Sequence, residues 1–149
     1  MFLTHASFAL LISLLIIRFA GFRADNVLVF IILVLLGALL PDLDSARSFI
    51  GERIRAVSIL LKHRAFFHSL LTAVFIGIIV FLLTKNSSYS LGFILGFASH
   101  LLLDSLTRAG VTPFWPSKLK LRGRLITGSW PDGFLFLLFS ALCIAVMFS

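Results

Sequence analysis

Charge is what this sequence has least of. Only 13% of its 149 residues are charged, where a soluble domain carries about 25%. Acidic residues are scarcest, six against 13 basic ones. The 60% that are hydrophobic gather in long runs that a water-soluble fold of this length could not bury, which excludes an ordinary soluble domain. Cysteine occurs once, as Cys143 inside an apolar run, so there is no internal disulfide and redox compartment is not indicated. There is no internal repeat and no low-complexity linker, and the length suits one domain covering residues 1–149. The net charge of +7 lies between the apolar runs, in the manner of basic loops beside membrane spans and anionic headgroups, so nucleic acid is not the expected partner.

What is present are five apolar stretches, each near the roughly 20 residues that cross a bilayer. They run from about His5 to Phe22, Asn26 to Leu40, His68 to Thr84, Ser90 to Thr107, and Gly133 to the C-terminus. Pro41 is expected to stop the second. The first has no basic residue ahead of its apolar core and no clear cleavage site, so it reads as a retained helix. The sequence therefore predicts an all-α integral membrane bundle of about five spans. Between the second and third spans, Ile50, Ile54, Val57 and Leu61 recur at helical spacing, which predicts a short amphipathic helix at the membrane interface. Lys118 to Gly123 alternates polar and apolar, as a hairpin arm does. Trp115 and Trp130 suit the headgroup level.

The positive-inside rule sets orientation. The two basic segments, Asp42 to Phe67 and Arg108 to Asp132, are expected on the cytoplasmic side, which puts the N-terminus inside and the C-terminus outside.

Alternation of five spans then brings the polar residues to one membrane level, whichever way the bundle faces. His5 begins the first span, Asp42 and Asp44 follow the second, His63 and His68 precede or open the third, and His100 and Asp104 end the fourth. In His100-Leu101-Leu102-Leu103-Asp104, spacing of four residues puts both side chains on one helical face. Gly92, Gly96 and Arg108 extend that stripe, and the glycines invite close helix approach. Ionisable groups within a span are costly and mark function or a buried pair. Pro41-Asp42-Leu43-Asp44 suggests a broken helix followed by an extended stretch with both carboxylates pointing one way; a helix cap and a solvated turn is the plainer reading. His63 and His68 flank Arg64, which could clamp a phosphate or carboxylate; interfacial histidines beside a lipid-facing arginine is the plainer alternative. Asp132, after Pro131, suits the start of the last helix.

These patterns, in this order, resemble the YdjM family of membrane-bound proteins regarded as metal-dependent hydrolases. The matching stretches are Thr4-His5, Gly37-Ala38-Leu39-Leu40-Pro41-Asp42-Leu43-Asp44, Lys62-His63-Arg64 with His68-Ser69-Leu70, Ser99-His100-Leu101-Leu102-Leu103-Asp104, and Leu106-Thr107 leading to Gly110-Val111 and Trp115-Pro116. Ala65 and Phe67 stand where the family usually has glycine and threonine. The resemblance implies an inner-membrane protein of metal-dependent hydrolase character and supplies no substrate. The His-x-x-x-Asp ligand pattern is also similar to that of zinc-dependent phospholipase C and the related single-strand nucleases.

The functional expectation is a hydrolase of a phosphoester, such as a phospholipid or a lipid-linked phosphate, because the site lies at headgroup level. The expected metal ligands are His5, Asp42, Asp44, His63, His68, His100 and Asp104, more than one tetrahedral zinc needs, so two or more ions fit. The histidine count favours zinc, with manganese a second choice. Asp44 or Asp42 would bridge ions or accept a proton from water; Arg64 and Arg108 would hold phosphate oxygens. The rival from another class is a non-catalytic membrane protein whose His/Asp cluster is structural. A transporter would carry polar groups at the bilayer midplane on several helices, which this sequence does not. Oligomeric state is not legible.

Overall fold

Apolar runs bounded by polar caps become helices in a computed structural model, which describes residues 1–43 and 67–148. Five helices lie among the described residues: α1 (Phe2–Phe19), α2 (Val27–Leu43), α3 (Leu70–Thr84), α4 (Ser87–Ser105) and α5 (Trp130–Phe148). The predicted interfacial helix, with Asp44, His63 and Arg64, falls outside the described residues.

Two of the five, α1 and α5, are long and apolar enough to cross a bilayer unaided, and the apolar stretches of α2 and α3 are shorter. α4 matches α5 in length but carries Ser88, Ser90, Ser99, His100 and Asp104. Its polarity has a structural cause. α4 is the inner helix, packed against α2, α3 and α1, and it buries Gly92, Gly96, Ser99 and His100 among neighbours. The apolar side chains of the outer helices stand exposed instead, among them Phe75, Ile78 and Leu82 on α3 and Phe134, Leu137 and Ile144 on α5. So much exposed apolar surface suits a body bathed in lipid.

The seam between α2 and α4 is unusually close. A Cβ on Gly96 would lie 1.8 Å from the Val34 carbonyl oxygen, and one on Gly37 would lie 2.1 Å from that of Phe93. Two glycines facing opposite ways thus let the two backbones touch, the small-residue packing that membrane helices use. Phe30, Val34 and Ala38 bury on the α2 side, and Phe93, Phe97 and Leu101 on the α4 side.

Pro41 does not stop α2, which runs on to Leu43. Asp42 is therefore helical, not part of an extended strand as its sequence setting suggests. In an apolar surround, giving up the one hydrogen bond that proline forbids costs less than unravelling a whole turn.

The connections have local causes. Lys85 takes a left-handed conformation (φ 54°) at the end of α3. Asn86 then caps α4 by accepting hydrogen bonds from the Ser88 and Tyr89 amides, and its side-chain amide donates to Asp25. Losing such a cap costs about 0.5–2 kcal/mol, so Asn86→Ala is expected to lower stability by roughly 1 kcal/mol in denaturant titration of the detergent-purified protein. Ser69 caps α3 in the same way, accepting from the Thr72 amide at 3.3 Å.

Between α4 and α5 the chain folds back on the bundle. Val111 and Leu121 form an antiparallel bridge through two backbone hydrogen bonds of 2.9 and 2.8 Å. This is what becomes of the alternating stretch read as a hairpin arm. Thr107 bridges Leu125, and the Leu70 amide donates to the Pro113 carbonyl at 2.8 Å. The segment is thereby tied to both the end of α4 and the start of α3.

Candidate metal centre

Four of the predicted ligands converge from separate parts of the chain, and a fifth joins them. His5 comes from the first turns of α1, Asp42 from the end of α2, His68 from just before α3, and His100 with Asp104 from the end of α4. The contact of these positions shows that alternation brings the same ends of the helices together. His5 and His100 are almost wholly buried, Asp104 and Asp42 partly so. The His5 and His100 rings stack with centroids 4.0 Å apart, and His68 meets His100 edge-on at 5.7 Å.

His100 is the hub. Its Nδ1 lies 2.7 Å from the Ala38 carbonyl oxygen. A carbonyl only accepts, so Nδ1 carries the proton, and in the neutral ring Nε2 is left with its lone pair. That Nε2 is buried without a hydrogen-bond partner among the described residues. It faces Asp104 Oδ2 at 3.4 Å and Asp42 Oδ1 at 4.0 Å. Two lone-pair carriers turned toward each other in a buried place are costly unless something positive lies between them. A backbone carbonyl on the far nitrogen is also the usual outer partner of a metal-bound histidine.

Distances favour the same interpretation. Tetrahedral zinc, with ligand bonds near 2.0–2.1 Å, holds its donor atoms roughly 3.3 Å apart. His100 Nε2 to Asp104 Oδ2 and His5 Nε2 to Asp104 Oδ1 both measure 3.4 Å. Two groups of three, His5–Asp42–His100 and His68–His100–Asp104, have their donor atoms all within 4.8 Å of one another. Small side-chain rotations would close the longer gaps. Asp104 presents one oxygen to each of two histidines, the posture of a bridging carboxylate, so it, more than Asp42, suits the bridging role. The donor set of nitrogen and carboxylate oxygen suits zinc or manganese.

Arg108 departs from its predicted place. α4 ends at Ser105, so the stripe of Gly92, Gly96, His100 and Asp104 stops short of it. Arg108 is exposed, and its amide donates to the Leu125 carbonyl at 2.8 Å. Asp132 is structural, as its helix-start position suggests. It accepts from the Thr4 hydroxyl at 2.5 Å and the Gly128 amide at 3.0 Å, which fastens α5 to α1 one residue from His5.

Beside the cluster lies a cavity of about 410 Å³ lined by His68, Asp104, Ala109, Gly110, Val111, Thr112 and Lys120. Neither Thr112 nor Lys120 carries an individual signature in the sequence; the alternation of Lys118 to Gly123 is the signal that puts Lys120 on a common face with its polar neighbours.

The sequence model of the YdjM inner membrane protein family matches residues 1–149. The chain belongs to this family. Among curated relatives, inner membrane protein YdjM of Escherichia coli (strain K12) is 39% identical over 98 residues, covering 59% of this chain and 50% of that protein. The protein of the same name from Shigella flexneri matches equally well. YvsG of Bacillus subtilis (strain 168) is 35% identical over 102 residues, covering 64% of each chain. This chain thus spans about half the length of the YdjM proteins it matches. No solved structure matches it. Inner-membrane family membership accords with the two long apolar helices and with the apolar surface of the outer helices.

Proposed function

We propose that this member of the YdjM family is a metal-dependent hydrolase of phosphoesters, with a phospholipid or lipid-linked phosphate as substrate. The observation that carries the proposal is His100 Nε2: buried without a hydrogen-bond partner among the described residues, opposite an Nδ1 whose proton the Ala38 carbonyl accepts, and aimed at two carboxylates. His5, Asp42, His68, His100 and Asp104 would hold one or two divalent ions, zinc before manganese. Such an ion would supply Lewis acidity, making water nucleophilic near neutral pH and polarising a phosphoryl oxygen. The chain's own part would be to hold that geometry dry on the bundle side, through the stacked His5 and His100, and open on the cavity side. Asp42, less buried than His5 and His100, would accept a proton from water. Asp44, His63 and Arg64 keep the ligand and phosphate-clamp roles that the sequence suggests.

In this reading all five helices span the inner membrane, with the N-terminus and the site on the cytoplasmic side and the C-terminus outside. A site where helix ends meet at headgroup level can reach the phosphate of a lipid without drawing the lipid from the bilayer. This placement favours a lipid substrate over a soluble one.

The test uses the full chain purified in detergent. Elemental analysis is expected to find at least one zinc or manganese per chain. Hydrolysis of a panel of phosphatidic acid, phosphatidylglycerol and isoprenyl phosphates is expected to stop on chelation and return with the metal. A protein that carries metal yet cleaves nothing would favour the structural reading of the cluster. A protein without metal would remove both the enzyme and the metal-stabilised scaffold.

A further inference from the structure

We propose that Lys120, opposed across the chain fold to Thr112, is a phosphate-binding residue of the cavity beside the His/Asp cluster. The inference rests on the hydrolase reading for its substrate but not for its geometry.

The antiparallel bridge between Val111 and Leu121 fixes the register. Continued by one step, that register sets Thr112 across from Lys120. Opposed residues of an antiparallel pair share one face, with side chains roughly 5 Å apart. Both line the cavity whose floor includes His68 and Asp104. The register is enforced from below. Gly110 takes a left-handed conformation (φ 67°), and a Cβ there would sit 2.4 Å from the Leu121 carbonyl oxygen. No larger residue allows the two stretches to close so tightly.

The cavity's chemistry is uneven. Asp104 repels an anion, and Lys120 is the only cationic side chain among the described lining residues. Lys120 is exposed, and no described carboxylate forms an ion pair with it. Lysine is a compact point charge suited to phosphate, and a threonine hydroxyl beside it supplies a further hydrogen bond. The volume of about 410 Å³ sits at the lower end of the range for small-ligand sites, enough for a phosphate headgroup and not for a whole lipid. The neighbouring cations are placed differently. Arg122 lays its stem over Gly110, and neither Arg122 nor Lys118 lines the cavity. Lys120 thereby takes the part that sequence spacing gives to Arg108.

The experiment titrates inorganic phosphate into the detergent-purified full chain, followed by phosphorus NMR, with metal content measured in parallel. Lys120→Ala is expected to weaken phosphate binding about tenfold or more, the scale of one lost charge-assisted hydrogen bond. Its metal content should be unchanged, Lys120→Arg should retain most of the affinity, and Lys118→Ala should bind as wild type does. Wild-type affinity in Lys120→Ala, or an equal loss in Lys118→Ala, overturns the proposal. The titration is repeated on chelated protein. A Lys120-dependent affinity there upholds this inference even if the wild type proves to hold no metal and the hydrolase reading falls. Competition separates the sources of phosphate. Displacement by phosphatidic acid in phosphatidylcholine vesicles, lost in Lys120→Ala, identifies a lipid headgroup. Displacement by glycerol phosphate alone identifies a soluble ester, and displacement by neither counts against a phosphate site.

Discussion

The His100→Ala protein, purified beside the wild type, is expected to retain no stoichiometric divalent metal. His100 belongs to both groups of converging donors, so its loss strips a ligand from each. A lesion in an outer partner of a metal ligand already costs about 10–100-fold in affinity, and removing the shared ligand should cost more. The substitution also removes the 2.7 Å hydrogen bond to the Ala38 carbonyl, a loss of about 0.5–1.5 kcal/mol. Thermal unfolding must therefore accompany elemental analysis. His68→Ala is the informative companion, because His68 belongs to only one group and should cost part of the metal. A His100→Ala protein that folds and keeps its full metal content would refute the metal centre.

The second large effect is expected at Gly96. A Cβ there would penetrate the Val34 carbonyl, lying 1.8 Å from its oxygen and 2.7 Å from its carbon. A backbone atom cannot swing aside as a side chain can, so α2 and α4 must separate. Overpacking a tight core typically costs about 1–3 kcal/mol, and Gly96→Ala should reach the upper end or exceed it, read as a fall in thermal midpoint in detergent. Gly133 provides the control. Nothing lies within 4 Å of a Cβ there, and the helical site favours alanine over glycine by about 1 kcal/mol, so Gly133→Ala should be neutral or stabilising. Separation of α2 from α4 also pulls Ala38 from His100, so metal content should drop together with stability in Gly96→Ala and not in Gly133→Ala.

The helices and their polar meeting point can be read from the chain because both depend on spacing. His100 and Asp104 share a face by the turn of a helix, and His5, Asp42 and His68 reach them by alternation. What escapes the sequence depends on contact across distant segments. Pro41 reads as a stop, yet the helix continues because an apolar setting penalises open backbone more than one missing hydrogen bond. Arg108 reads as the next member of the α4 stripe, yet the helix ends three residues earlier, where the Thr107 hydroxyl bonds back to the Asp104 carbonyl at 2.8 Å. Lys120 reads as one more basic loop residue, and only the Val111–Leu121 bridge turns it toward the cavity. The Ala38 carbonyl, which sets the tautomer of the central histidine, has no sequence signature.

The spread of the donors along the chain bears on how such a centre would be filled. His5 belongs to α1 and Asp104 to the end of α4, far later in the chain. A cation that needs both cannot be captured by a nascent chain until α4 has left the ribosome and seated its glycines against α2. Loading of the ion would thus be an event of assembled membrane protein, late in biogenesis, and an interrupted chain ending before Asp104 would release into the bilayer with no competence to sequester metal.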